Sequence, residues 1–300
     1  MTVRALIATV FLACAALAAT LPFDALDIDS SSYALISRDM IERDDYLHLQ
    51  QCGRRYFDKP ILTFWKISTS FQIFGVSNWS FRLPALLLTL ASIWSLYSLV
   101  LLLYGSTRRA LLAAAIYASS PGLFAMLLDV KIDAYLNCYL VFLHHAYFLG
   151  VKRNRWYYLL MYLAIGLGFI TKGPIAVAIP AISIGMDILV RRDWGRLGTM
   201  LFSPVGLVGV PLALIPPGFW TWVLYEQYGS YGPYYCLWLQ SFGRVYSRYA
   251  FSWSQGYDPF FFVSNFAWAF AAFLLPLLVY AGRRVWDFAR SGGLLRLPAD

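Results

Sequence analysis

The feature that most constrains this chain is a series of long apolar runs, closed at alternate ends by short basic clusters. The first goes from Arg4 to about Phe23, and others lie near 83–104, 108–128, 134–150, 156–170, 172–190, 197–216 and 260–281. The longer runs suffice to carry a helix through the ~30 Å hydrocarbon layer of a bilayer. Helices are the form expected, because a chain in lipid must satisfy its backbone polar groups internally. Composition agrees: 13% of residues are charged and 60% hydrophobic, where soluble domains carry about 25% charged residues. The fold class expected is therefore an all-α polytopic membrane protein.

Charge orients it. Arg4, Arg108–Arg109, Lys152 with Arg153 and Arg155, Arg191–Arg192 with Arg196, and Arg283–Arg284 all fall on one side if the chain crosses about eight times. The opposite loops, 24–82, 129–133, 171–173 and 217–259, hold most of the carboxylates. Basic clusters inside and acidic loops outside account for the net charge of +8 by topology, so nucleic acid is not an expected partner. The expected location is the inner (plasma) membrane, with residues 1–281 as the membrane module and 282–300 as a basic cytoplasmic tail. The four cysteines show no CxxC or Cys/His metal spacing. Cys52 and Cys236 both fall outside, where an oxidising compartment allows a disulfide between the two long loops.

The first outer loop is too long and too patterned to be slack. Asp29 or a following serine is placed to cap a helix over about 32–44, where Tyr33, Ile36, Met40 and Ile41 recur at helical spacing. Pro60 suits the start of a second helix, with an apolar side of Ile61, Phe64, Trp65, Phe71 and Phe74. Two short amphipathic helices beside a membrane read as juxtamembrane elements lying in its plane. The second long outer loop is dense in aromatics, from Phe219 and Trp220 through Tyr235 to Trp253. These read either as an interfacial belt or as a wall gripping a lipid tail or sugar face.

The candidate chemistry gathers on this outer side. Lys59 ahead of a helix start, with Arg54 and Arg55 upstream, suits a lipid-borne phosphate; contact with anionic headgroups is the plainer reading. Asp29 and Asp133 belong to the outer mouth, where a carboxylate can take a proton from a hydroxyl nucleophile or simply cap a helix. Lys172, in Thr171-Lys172-Gly173-Pro174, is expected to open the sixth span, and Arg244 supplies a further outer cation. His144 and His145, inside the fourth span, read as interhelical hydrogen-bond partners rather than metal ligands.

The order of these motifs carries a resemblance. Asp29-x3-Tyr33-Ala34, Arg38-x-Met40, Tyr56-Phe57-Asp58-Lys59-Pro60, Phe74-Gly75-Val76, Arg82-Leu83-Pro84 and Thr171-Lys172-Gly173-Pro174 are similar to those of the GT-C polyprenyl-phosphate-sugar glycosyltransferases. That family includes the aminoarabinose lipid A transferases and, more distantly, the protein O-mannosyltransferases. The resemblance implies a GT-C helical bundle and inverting transfer of a sugar from a polyprenyl phosphate, on the non-cytoplasmic face, to a lipid, glycan or protein acceptor. It implies that Asp29 is the catalytic first-loop aspartate, Lys59 a donor-phosphate contact, Asp133 the second-loop acidic position and Asp58 a metal-associated position. The chain departs from the pattern at Ser30-Ser31-Ser32, where the family often has a second acid and an arginine; Arg54 or Arg55 is a candidate substitute. No histidine lies near Gln240-Ser241-Phe242-Gly243-Arg244, so the family's set of divalent-metal ligands is incomplete. Family members commonly continue into further spans and a soluble domain, so the chain reads as a short relative or part of a longer protein. A transporter of lipid-linked sugar and an inactive membrane subunit are the rival readings.

Overall fold

The structure, a computed structural model, describes residues 2–243, 260, 263, 267 and 271–290. Among these residues the regular structure is helical apart from one small hairpin. Helix α1 spans Val3–Ala18 and is followed by the long first loop, which carries α2 (Ile28–Glu42), the hairpin strands β1 (Gln50–Gln51) and β2 (Arg54–Arg55), and α3 (Leu62–Phe74). The bundle continues with α4 (Asn78–Tyr104), α5 (Thr107–Ala118), α6 (Pro121–Leu128), α7 (Ile132–Lys152), α8 (Tyr158–Lys172) and α9 (Ile175–Arg191). Then come α10 (Trp194–Phe202), α11 (Pro204–Tyr228), the short α12 (Tyr231–Pro233), a π-helical stretch Tyr234–Gly243, and α13 (Ala271–Arg290).

The chain is an integral membrane protein. Helices α4 and α11 are each long and apolar enough to cross a bilayer, and α5 with α6, bent by 48°, would together make a third crossing. The bend falls at Ser119-Ser120-Pro121, where proline cannot continue the hydrogen-bond ladder of the preceding helix. The apolar runs at 134–150, 156–170 and 172–190 coincide with α7, α8 and α9. The run expected at 197–216 is instead two helices that meet at Ser203, and the second continues to Tyr228. Apolar residues surround α11 on every side, so periodicity could not mark its end.

The elements of the first loop are set by local chemistry. Helix α2 starts four residues earlier than expected, because Asp27 rather than Asp29 is its N-cap; Ser30 and Ser31 donate back to the Asp27 carbonyl. Gly75, at φ +79°, ends α3, a backbone conformation that favours glycine. Two residues later Ser77 and Ser80 form a reciprocal capping box that opens α4. Arg82 is fully buried at this junction. Its guanidinium donates to the carbonyls of Asp24 (2.8 Å), Leu128 (2.9 Å) and Asn78 (3.3 Å), tying the start of the first loop to the end of α6. The motif Arg82-Leu83-Pro84 therefore has a structural role here.

Two buried clusters fill the bundle. One joins α2, α3, α4 and α7 through Tyr33, Ile36, Met40, Phe64, Ile67, Phe71, Phe81 and Tyr135, with Trp220 of α11. The other lies around Tyr147, Tyr158, Met161, Tyr162, Met200 and Val205. Helices α8 and α11 cross closely: a Cβ on Gly209 would lie 2.1 Å from the Tyr162 ring. Small residues at such crossings let helices in lipid gain packing and hydrogen bonds that apolar burial does not supply. Tyr162 uses the approach to donate to the Met200 carbonyl at 2.6 Å. His145 pairs with Ser95 (2.9 Å) and His144 with Ser183 (2.7 Å), interhelical bonds as their positions suggested.

Candidate functional site

The site builds outward from the start of α3. Tyr56-Phe57-Asp58-Lys59 runs from the hairpin to Pro60, which is buried, with Ile61 as the residue before the first helical turn. The hairpin is pinned to α2 by Gln51 donating to the Ser32 hydroxyl at 2.8 Å, and the connection leading into it is held to α3 by the Trp65 indole donating to the Tyr46 carbonyl at 2.7 Å. These bonds fix where Asp58 and Lys59 stand. Both line a small cleft whose other walls are Pro60, Lys172, Gly173, Cys236, Gln240 and Ser241.

Lys172 is the last residue of α8, and Gly173 at φ +79° ends that helix. This corrects the expectation that Lys172 opens a helix: the glycine needed to reverse the chain belongs to the terminus behind it. A cation at a helix C-terminus is favourably placed on the dipole. Its ammonium pairs with Asp133, in the first turn of α7. Asp133 is therefore not the cap of that helix; Lys131 holds the cap position without a side-chain bond. Lys131 in turn pairs with Asp27, the cap of α2, and Asp129 accepts from the Leu26 amide at 3.2 Å. Two acid–base contacts thus tie the turn before α7 to the first outer loop and to the end of α8.

Asp29 is exposed in the first turn of α2. It shares its surroundings with Tyr56, whose phenol is held well above its ordinary range by burial above all, and then by Tyr33, Asp58 and Asp29. Asp58 is exposed to the cleft, and its Oδ1 accepts from the Tyr235 hydroxyl at 2.6 Å. Gln240 donates to the same hydroxyl at 2.8 Å and approaches Oδ1 at 3.4 Å. Burial, reinforced by that bond to Asp58, pushes the Tyr235 phenol up to about 12. Cys236, buried beside Trp220 and near Lys59, has its thiol pushed up to about 11 by burial.

The other expected residues are less central. Arg54 and Arg55 are exposed on β2. Arg55 donates to the Gln227 carbonyl at 3.3 Å and stands over the Tyr228 ring, so it reaches the end of α11. Arg244 lies outside the described residues. The expected Cys52–Cys236 disulfide is absent: both thiols are free, Cys52 exposed at the hairpin turn and Cys236 buried within the stretch Tyr234–Gly243. The two loops are joined instead by Tyr235, Gln240 and Arg55.

Among the described residues no three His, Cys, Asp or Glu side chains stand together as a metal site. Asp58, the one carboxylate expected to be metal-associated, already accepts from a phenol and an amide. The residues described therefore do not fit a divalent ion. Sequence reasoning missed Tyr235, Gln240, Lys131 and Asp27. Tyr235 was one ring in an aromatic run, and nothing in spacing distinguishes a ring that binds a carboxylate from one that meets lipid.

Comparison with known proteins agrees with this architecture. The fold matches the crystal structure of ArnT from Cupriavidus metallidurans bound to undecaprenyl phosphate, with a TM-score of 0.74 at 21% identity over 94% of this chain and 52% of that one. The apo form of the same protein matches with a TM-score of 0.72. An undecaprenyl phosphate-alpha-4-amino-4-deoxy-L-arabinose arabinosyl transferase of Pectobacterium atrosepticum is 31% identical over 86% of this chain and 46% of its own length. The protein of that name from Yersinia enterocolitica is 30% identical over 67% of this chain and 38% of its own. The chain thus spans half or less of the length of these curated relatives. The sequence profile of the dolichyl-phosphate-mannose-protein mannosyltransferases matches residues 58–220, more than half of the chain and the stretch running from Asp58 through Lys172 to Trp220. This chain belongs to the dolichyl-phosphate-mannose-protein mannosyltransferase family.

Proposed function

We propose that this protein transfers a sugar from a polyprenyl-phosphate donor to an envelope acceptor on the non-cytoplasmic face of the membrane. The observation that carries the reading is the meeting of Lys59 and Lys172, from separate parts of the chain, in one cleft with Asp58. Two ammonium groups with a helix start beside them suit the phosphate of a lipid carrier. A largely apolar groove of about 580 Å³ runs between α3 and α4, lined by Leu62, Trp65, Ile73, Leu83 and Leu87 with Lys66 in its wall. It is the kind of surface an isoprenoid tail would occupy. The names of the relatives, which refer to undecaprenyl phosphate and to arabinosyl transfer, support the same donor class.

In the proposed reaction an acceptor oxygen attacks the anomeric carbon of the donor. The new C–O bond forms as the bond from that carbon to the phosphate oxygen breaks, with inversion. Asp29 takes the acceptor's proton. Lys59 and Lys172 stabilise the negative charge on the departing polyprenyl phosphate, a contribution that is often the largest single one in such reactions. Asp133 is engaged with Lys172 and is better suited to orienting that lysine than to acting as a free base.

Asp29→Asn and Lys59→Ala should each abolish transfer while leaving membrane insertion intact. The assay is mass spectrometry of envelope lipids and glycans from a deletion strain complemented with each variant. One sugar should be missing and its lipid-linked donor should accumulate. Full activity in either variant would overturn the assignment.

A further inference from the structure

The family resemblance places a metal at Asp58, and the geometry there points elsewhere. The Tyr235 hydroxyl donates to Asp58 Oδ1 at 2.6 Å, and Gln240 completes a triangle by donating to that hydroxyl at 2.8 Å. Such a short bond to an ionised acceptor belongs to the stronger class of hydrogen bonds. Tyr235 is also fixed from behind. Phe57, the residue before Asp58, packs against Tyr228 at 4.6 Å and edge-on against Tyr235 at 4.7 Å, with Tyr231 at 6.1 Å. The ring that bonds Asp58 is thus held by Asp58's own neighbour in sequence.

A divalent ion has little to hold it here. Zinc takes Cys, His or carboxylate ligands, usually four of them, and magnesium or calcium takes six or more oxygens. Among the described residues the cleft supplies one carboxylate and one buried thiol, Cys236, and two ammonium groups on Lys59 and Lys172 oppose a second cation. We infer that Asp58 acts as the acceptor of a metal-free clasp, with Tyr235 as a positioning residue, which closes the second outer segment over the donor-phosphate cleft. The clasp rests on the donor reading above for its functional meaning.

Asp58→Asn separates the two roles, because an amide oxygen still accepts from Tyr235 whereas the charge a metal requires is gone. The full chain in detergent is the material. Hydrogen–deuterium exchange over 231–243 should rise by about threefold in Asp58→Asn, which keeps the acceptor without its charge, and by about tenfold in both Asp58→Ala and Tyr235→Phe. Elemental analysis and titration with zinc and manganese should show less than ~0.1 ion per chain, unchanged by Asp58→Asn. Stoichiometric metal that disappears in Asp58→Asn would overturn the inference, as would Asp58→Asn opening the segment as much as Asp58→Ala. Binding of undecaprenyl phosphate tests the underlying reading separately. The parent and Asp58→Asn should bind it with or without chelator, and Tyr235→Phe should bind it more weakly. A parent chain that does not bind undecaprenyl phosphate would defeat the donor reading, while exchange and metal content would still decide the clasp.

Discussion

At the scale of single residues, the pair Lys172–Asp133 shows how a cation can be held ready for a ligand. Both side chains are partly exposed, at 31% and 48%, so solvent screens their attraction and the pair contributes about 1 kcal/mol or less to stability. Its value lies in aim: the carboxylate holds the ammonium of α8 at the mouth of the cleft. Lys172→Ala should therefore weaken undecaprenyl phosphate binding about tenfold, and Asp133→Asn by less. Because both act through one ammonium, the double variant should be no worse than Lys172→Ala alone, as a double-mutant cycle on binding would show. Additive losses would mean that the two residues act apart. Residue types in the sequence pointed to both members of the pair, since cations and carboxylates at the outer mouth are conspicuous in so apolar a chain. Their pairing was not legible, being a contact across 39 positions. Nor was the end of the helix that Lys172 occupies, because Lys-Gly-Pro suits a C-terminus and the helix start beyond it equally well.

The helices themselves were largely legible, and the failures have a common cause. An apolar run reveals that a helix crosses lipid, but with lipid on most sides the run has no polar face to mark register or end. Hence the break at Ser203 and the continuation of α11 to Tyr228 were hidden. In the outer loop, where one side meets water, helical spacing placed Tyr33, Ile36 and Met40 correctly on the buried side of α2. What sequence could not supply for the spans is how closely they approach. The α8–α11 crossing depends on Gly209, where the Tyr162 ring occupies the space of a side chain. Gly209→Val should destabilise the protein by about 1–3 kcal/mol through overpacking. Gly185→Ala, on α9 where a Cβ would meet nothing within 4 Å, should be nearly neutral. Thermal unfolding of both variants in detergent checks this. A Gly209→Val protein as stable as its parent would show that the crossing tolerates separation.

For the whole molecule, the distribution of positive charge predicts which side faces the cell exterior, and the free cysteines offer a direct readout of that prediction. Under the proposed topology the loop from Asp24 to Arg82 is outside, with Cys52 exposed at the turn between β1 and β2. Cys236 lies on the same side, but it is buried and its thiol is pushed up to about 11. At pH 7.5 it is overwhelmingly protonated, and only thiolate reacts appreciably with a maleimide. Cys138 is buried within α7, and Cys14 sits in the apolar helix α1. A membrane-impermeant maleimide applied to intact spheroplasts should therefore label one site, and Cys52→Ser should remove nearly all of the signal. Raising the pH towards 10 increases the thiolate fraction of Cys236 while leaving it below its midpoint, so any second label should appear slowly and only there. Labelling of Cys52 only after lysis would put Asp29, Asp58 and Lys59 on the cytoplasmic side. Because the basic clusters between spans would then all face outward, that outcome would reject the charge-based topology and the site's orientation together.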